Sequence, residues 1–262
     1  MKQILLIFIL NICSLTGYAC SCLTPPMIES FQSADFVARI KINKVIPDPT
    51  NSDSHLLTIE ILELFKGDST TKIVLSSRLN TSCAFMVNAQ TEWILFANRN
   101  PKNELIFGMC NNYFEINRIP SSKDSIENQR LFFNYTNSLN RKLTMLRLLK
   151  SKQINPTNEY KLNIYIPKEF QDQLRGYSLP EASFALYKIS VNTDLTIHSV
   201  KSIQPFLNKK LRKKMEKLIV QEIKIKNRNK TLTKLPNPTE LILGFYYYGQ
   251  EGIYQSFISN FD

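Results

Sequence analysis

The sequence predicts a mainly β N-terminal barrel with two disulfides, then one helix, then a small α+β domain of order ββαβ. Short period-two segments separated by turn residues fill residues 20–119, which is typical of a small closed barrel. Apolar residues at helical spacing follow between 126 and 149 and predict a helix whose apolar stripe packs on a domain. The stripe consists of Ile126, Leu131, Phe133, Leu139, Leu143, Leu146 and Leu149. Two alternating segments, a helical segment and a last apolar strand then run from 185 to 248. The helical segment has a predicted buried face of Leu211, Met215, Leu218 and Ile219. We therefore divide the chain into residues 1–19, a barrel domain at 20–119, a helical linker at 120–153 and an α+β domain at 154–262.

The first nineteen residues have the layout of a secretory signal peptide. Lys2 supplies a positive charge, residues 4–12 are almost all apolar, and the small residues Gly17 and Ala19 stand three and one before Cys20. This run is shorter than the about 20 apolar residues that span a bilayer, and no later stretch qualifies, so we expect no transmembrane span. We expect cleavage before Cys20 and a secreted, extracellular or periplasmic protein. A lipid anchor on Cys20 is the less favoured alternative, because Gly17 stands where a lipobox has Leu.

Four cysteines remain after such a cleavage: Cys20, Cys22, Cys83 and Cys110. An even number in an exported chain predicts a disulfide framework. Cys20 and Cys22 do not readily bridge each other, because side chains two residues apart give a strained geometry. The residues alone leave two pairings open, in which Cys20 joins Cys83 or Cys110 and Cys22 joins the other. Either pairing ties the new N-terminus to two later parts of the chain.

The predicted barrel strands follow in order along the chain. The first places Phe36, Ala38, Ile40 and Ile42 on one face. The second runs through 57–64, where the apolar phase changes at 62–64 and predicts a β-bulge. Residues 72–77, 93–97 and 105–110 complete about five strands.

The mature N-terminus resembles the netrin-like domains, and most of all the tissue inhibitors of metalloproteinases. The resemblance rests on Cys20-Ser21-Cys22 followed by prolines, on residues 33–41, on residues 65–67, on the loop around Cys83, and on residues 93–97 with Cys110. It covers about residues 20–116 and implies an OB-fold barrel with bridges Cys20–Cys83 and Cys22–Cys110. The chain lacks the remaining cysteines of the animal inhibitors.

The same resemblance implies a chemistry for the N-terminus. In that family the amine and carbonyl of the terminal cysteine, here Cys20, bind the zinc of a metalloprotease, whose open coordination position normally holds water. The disulfide of Cys20 would fix the direction of the terminus, and Ser21 would enter the specificity pocket beside the zinc. Cys22 would belong to the same tip, and Thr81 and Ser82 would form a second contact strip. The expected partner is a zinc metalloprotease, with no metal or cofactor of the chain's own. The alternative is a non-inhibitory extracellular or envelope binding protein.

The second half of the chain is basic. Residues 20–119 carry 9 Lys and Arg against 10 Asp and Glu, whereas residues 120–262 carry 23 against 12. The segment from Lys209 to Lys234 is the most basic and predicts contact with an anionic surface or an acidic protein, or else a solvated helix face. Basic residues are not interleaved with repeated aromatics, so we expect no nucleic acid partner. The strand, hairpin and helix pattern of this half faintly resembles the C-terminal domain of TonB-type envelope proteins.

We expect the protein not to be an enzyme and to need no cofactor. It has two histidines, His55 in a predicted polar loop and His198 in a polar-rich strand, and neither has a nucleophile or metal ligand at a recognisable spacing. Patterns such as HExxH, GxSxG and a Gly-rich phosphate loop do not occur in the sequence.

Overall fold

A closed five-stranded barrel forms the N-terminal half of the protein. The computed structural model describes residues 20, 22, 24–116, 126–155, 157–227 and 234–260. The barrel strands are β1 (Phe36–Pro47), β2 (Ser54–Lys66), β3 (Lys72–Ser76), β4 (Glu92–Arg99) and β5 (Leu105–Gly108), and the short β6 (Tyr113–Glu115) adds to β4. The order β1-β2-β3-β5-β4 closes because β1 also pairs with β4. Every pairing is antiparallel except β3–β5. The predicted OB-fold-like barrel is confirmed.

The inward face of the barrel is the one that the alternation of β1 predicts. Phe36, Ala38, Ile40 and Ile42 are fully buried in a cluster with apolar residues from β2 to β5. The β1–β2 register skips a residue between Glu63 and Ile61 and again between Lys66 and Leu64. These irregularities confirm the bulge predicted at 62–64, and a bulge lets a long strand bend around a small barrel.

The C-terminal half is built on a four-stranded antiparallel sheet of order β12-β11-β8-β9. A short helix α1 (Met27–Ser33) precedes the barrel, and the long helix α2 (Ile126–Ser151) follows it. The remaining elements are β7 (Leu162–Tyr165), α3 (Lys168–Asp172), β8 (Phe184–Val191), β9 (Ile197–Gln204), α4 (Lys209–Glu222), β10 (Lys224–Asn227), β11 (Thr239–Tyr248) and β12 (Phe257–Ser259). Strands β7 and β10 pair as a separate ribbon.

Each face of this sheet packs against another part of the protein. Residues at odd positions, such as Tyr187 and Phe245, pack with the buried face of α4. That face consists of Leu211, Met215, Leu218 and Ile219, as predicted. Residues at even positions, such as Leu186 and Ile242, pack in a second cluster with α1, α2 and the outside of the barrel. The two halves therefore share a hydrophobic core.

Helix α1 also joins the halves through one polar side chain. The Gln32 side-chain amide donates to the Ile242 carbonyl at 3.2 Å and accepts from the Ile242 amide at 3.0 Å. Strand β12 pairs with the edge of β11 that faces away from β8, and only at Tyr246, Tyr247 and Tyr248. Gln32 thus takes the place of a neighbouring strand at Ile242 and satisfies both of its backbone groups.

Helix α2 is predicted to place its apolar stripe against a domain, and most of the stripe does so. Leu139, Leu143, Leu146 and Leu149 are buried in the shared core. The prediction is wrong for two members nearer the N-terminus, since Leu131 is 56% exposed and Phe133 is 55% exposed. Within the described ranges no helix is both long enough and apolar enough to cross a membrane.

Two adjacent cations of α2 are buried on different sides of the helix. The Arg141 guanidinium lies over the rings of Tyr246 and Tyr248 and donates to the Tyr247 carbonyl at 3.0 Å. The Lys142 ammonium lies 4.5 Å from the centre of the Phe114 ring on the barrel side and donates to the Ser138 hydroxyl. Burial, reinforced by the charge of Arg141, lowers the pKa of Lys142 to about 7.

Candidate functional site

Two disulfides tie the N-terminal segment to the barrel. Cys20 bonds to Cys83, with the Cα atoms 5.1 Å apart, and Cys22 bonds to Cys110, with the Cα atoms 5.2 Å apart. Of the two pairings that the residues alone left open, the structure shows the one that the family resemblance implies. Each bridge closes a loop of more than sixty residues, so in the loop-entropy model each contributes about 4 kcal/mol to stability.

The loop that carries Cys83 is ordered by its own hydroxyl groups. The Thr81 hydroxyl donates to the Arg78 carbonyl at 2.9 Å and accepts from the Cys83 amide at 3.1 Å. Phe85 then anchors the far side of the loop in the barrel, with its ring 4.8 Å from that of Tyr113 and 5.5 Å from that of Phe107. Thr81 and Ser82 stay exposed at the loop tip between these two attachments.

The backbone nitrogen of Cys20 reaches this tip. It donates to the Ser82 hydroxyl oxygen at 3.0 Å, at a partly exposed position. The structure therefore brings together Cys20, Cys22, Thr81 and Ser82, four of the five site residues that the sequence predicts. The fifth, Ser21, lies outside the described residues.

Asn112 holds the segment that follows the cysteines. Its side-chain amide donates to the Pro25 carbonyl and to the Ser30 hydroxyl, both at 3.1 Å, and the residue is buried. The segment Thr24, Pro25 and Pro26 therefore enters α1 in a fixed direction. Asn112 was not predicted from the sequence, although its position two residues after Cys110 places it beside the segment that the Cys22 bridge brings in.

Two exposed apolar side chains flank the tip. Leu79 is 46% exposed and Met86 is 43% exposed, and they stand on either side of Thr81, Ser82 and Cys83 in the sequence. Neither residue was predicted from the sequence to belong to the site. The pattern that could have indicated them is the presence of two large apolar residues in a polar turn segment, one on each side of Cys83. Both side chains are therefore exposed to solvent in the loop region that carries Cys83.

The sulfur atoms of Cys20, Cys22 and Cys110 lie within 4.8 Å of one another. Each of these cysteines is in a disulfide. Zinc in proteins is bound by the deprotonated thiolate, which a disulfide sulfur is not. The cluster therefore brings two crosslinks together without offering a thiolate ligand.

The prediction that places His55 in a polar loop is wrong. His55 is the second residue of β2 and is buried, with its Nδ1 atom 2.8 Å from the Ser77 hydroxyl oxygen. Ser77 is itself fully buried and donates to the Asp53 carbonyl. The pair lies out of reach of a substrate and fixes the start of the loop that carries Thr81 and Ser82.

The basic segment that begins at Lys209 forms the solvent face of α4. Lys209, Lys210, Lys213 and Lys217 are exposed, and Arg212 pairs with Glu216 on the next turn at 3.2 Å. Residues 228–233 of the predicted basic segment lie outside the described ranges, and Lys234 is exposed just after them. The lysines of α4 therefore project into solvent as a row of cations.

Comparison of the chain with models of protein families finds no family that matches. Comparison with the curated proteins also finds no match.

Proposed function

We propose that the protein is a secreted inhibitor of zinc metalloproteases, in which the backbone of Cys20 binds the zinc of the target. The observation that carries this proposal is the place of the Cys20 nitrogen, 3.0 Å from the Ser82 hydroxyl at the tip. Removal of residues 1–19 would turn this nitrogen into a primary amine. An α-amine has an ordinary pKa near 8, so zinc competes with the proton at neutral pH.

The surroundings of the nitrogen suit this chemistry. A neutral amine that binds zinc through its lone pair keeps two N–H groups, and one of them can donate to the Ser82 hydroxyl. That hydrogen bond would orient the lone pair, as outer-shell partners do for other zinc ligands. The Cys20–Cys83 bridge and the Asn112 clamp reduce the conformational entropy that the terminus would lose on binding.

The flanks of the tip supply a contact surface for the protease. Thr81 and Ser82 offer hydroxyls, and Leu79 and Met86 offer apolar area on either side. Ser21, from the family resemblance, would enter the pocket beside the zinc. Disulfides persist in oxidising compartments, which favours an extracellular or periplasmic location. The N-terminal mass of the exported protein tests the cleavage and distinguishes a free Cys20 amine from a lipidated one.

One residue added before Cys20 tests whether the protein inhibits through its N-terminal amine. Protein that begins at Cys20 is compared with protein that carries one alanine before Cys20, against a panel of zinc metalloproteases. We expect the added alanine to raise the inhibition constant by about 100-fold, equal to about 2.7 kcal/mol, because the amine becomes an amide. Ser82→Ala should raise it by a smaller factor.

The control shows that the two proteins are folded alike. Both proteins should show the same unfolding temperature and the same two disulfides by mass without reductant. Equal inhibition by both would rule out zinc binding through the Cys20 amine, and so would the absence of inhibition of any protease by the protein that begins at Cys20.

A second candidate function is binding to an anionic surface through the lysine row of α4. The specific observation is that Lys209, Lys210, Lys213 and Lys217 are exposed on a helix with two acidic residues, Glu222 and Glu216, of which Glu216 pairs with Arg212. Retention of the full chain on anionic vesicles should fall with rising salt and fall further in a Lys213→Glu, Lys217→Glu variant. The same retention by variant and parent would remove this candidate.

A further inference from the structure

We propose that a cavity at the end of α2 binds an anionic sugar, that is, a saccharide that carries a phosphate, sulfate or carboxylate group. The cavity has a volume of about 1030 Å³ and lies between the residues that follow α2 and the sheet of the C-terminal half. It is separate from the cysteine tip and from α4, so this inference stands apart from the proposed function.

The position of the cavity follows from the lengths of the packed elements. Leu186 and Ile242 face α1 and α2 in the shared core. Side chains two residues further along a strand point to the same face, so Lys188 and Glu240 continue that face. Helix α2 ends at Ser151, and the sheet extends beyond it. The part of this face that α1 and α2 cover is apolar, and the part that they leave open is polar.

The cavity carries an excess of positive charge. Its lining includes Lys152, Lys188 and Lys201 with one acidic residue, Glu240. Glu240 pairs with Lys188 at 2.9 Å. Lys152 and Lys201 make no ion pair with any residue in the described part of the chain. A group of charge near −2 would therefore complement the lining.

Two of the lysines that line the cavity lie opposite each other in the sheet, and their like charges destabilise it. Lys188 on β8 and Lys201 on β9 are direct cross-strand partners. Directly opposed side chains share one face of the sheet, and like charges at such positions are destabilising. An oxyanion between the two ammonium groups would turn that repulsion into two attractive contacts.

The rest of the lining fits the body of a sugar. Hydroxyl and amide side chains line the cavity, and both types donate and accept hydrogen bonds as sugar hydroxyls require. These side chains are those of Gln153, Asn155, Thr157, Ser190 and Thr239. Ile154 and Ile203 add an apolar part that suits the C–H face of a sugar ring. The volume is far larger than a free inorganic anion fills, so the anion should be part of a larger polar molecule.

The test is calorimetric titration of the full chain with glucose 6-phosphate, glucuronate, glucose and inorganic phosphate at constant ionic strength. We expect the two anionic sugars to bind, glucose to bind at least about tenfold more weakly, and Lys201→Gln to weaken the anionic sugars by about tenfold. Lys44→Gln, at an exposed position of barrel strand β1, is the matched control, because it removes the same charge away from the cavity and from the lysine row of α4, and it should leave binding unchanged.

The unfolding temperature of Lys201→Gln without ligand distinguishes a lost contact from a lost fold. Relief of the opposed lysines should keep that temperature equal or raise it. The proposal is overturned if neither anionic sugar binds the parent protein, or if Lys44→Gln weakens binding as much as Lys201→Gln. Inorganic phosphate that binds as tightly as glucose 6-phosphate would overturn the sugar specificity.

Discussion

Lys142→Met should make the protein more stable, and the gain should depend on pH. Lys142 is 3% exposed, and burial lowers its pKa from 10.5 to about 7. In the unfolded chain the amine regains its ordinary pKa, so between pH 7 and 10.5 the unfolded state binds more protons than the folded state. The contribution of Lys142 to the free energy of unfolding therefore rises with pH across that window and is constant below it.

The magnitude follows from the shift. At 1.36 kcal/mol per pKa unit, a difference of about 3.5 units gives a penalty of about 5 kcal/mol when both states are fully protonated. The same treatment leaves about 4 kcal/mol at pH 7 and about 2 kcal/mol at pH 9. Methionine has no charge to desolvate but loses the contacts with Ser138 and the Phe114 ring, each worth about 1 kcal/mol. We expect a net gain of about 2 kcal/mol at pH 7 and about none at pH 9.

Urea unfolding without reductant measures this difference. Trp93 is the only tryptophan and is buried in the barrel, so its fluorescence reports the transition. Lys150→Met, at an exposed position of the same helix, is the control and should change stability by less than about 0.5 kcal/mol at either pH. A difference between Lys142→Met and the parent that stays the same at pH 7 and pH 9 would refute the reasoning, because the lowered pKa would then not exist.

Three further predictions concern the packing of the two halves and of the barrel. Gln32→Leu should lower the free energy of unfolding, measured in urea, by about 2 to 4 kcal/mol, because it leaves the buried Ile242 amide and carbonyl without their partner. The control Gln221→Leu, at an exposed position of α4, should have little effect. Gly67→Ala should lower the unfolding temperature, since Gly67 has φ of +86° and a Cβ there would lie 2.5 Å from the Asp35 carbonyl oxygen; no change would contradict the turn geometry. The two-pronged hydrogen bond from Arg147 lowers the pKa of Glu63, so Glu63 contributes stability above its unfolded pKa of about 4.5, which is lost as pH falls through the lower folded pKa. Glu63→Gln should therefore destabilise the protein near pH 7, and the effect should shrink as pH falls below 4.5. An equal effect at pH 7 and at pH 2 would count against the ion pair.

The barrel was predictable from sequence because its signals are local. Phe36, Ala38, Ile40 and Ile42 alternate without interruption, and the change of phase at 62–64 marks the bulge where it occurs. Helix α4 was predictable for the same reason, since one face carries Leu211, Met215, Leu218 and Ile219. Period-two and period-3.6 patterns need only a few turns or strand residues to stand out.

The elements that join the two halves were not predictable, because their stability comes from distant contacts. Helix α1 has seven residues, too few for a periodic pattern, and it packs on a strand about two hundred residues later. Leu131 and Phe133 could not be predicted to be exposed for the same reason. They continue the apolar pattern of α2, but the surface on which α2 packs ends before it reaches them. At the candidate site, the sequence pointed to Cys20, Thr81 and Ser82 through a motif, but Leu79 and Met86 are single apolar residues in a loop, which carry little information alone.

The pairing of Gln32 with Ile242 has a consequence for the order in which the protein is made. The two residues are 210 positions apart, so at a synthesis rate of about 5 to 20 residues per second, α1 emerges about 10 to 40 s before its partner strand. Cys110 emerges well within that interval, so both crosslinks of the barrel can form before α1 has β11 to pack against, and the side of Ile28 that meets Gly244 then faces water. A chain halted before β11 would then be an oxidised barrel with an open apolar side, which is the form that a chaperone would recognise or that would aggregate.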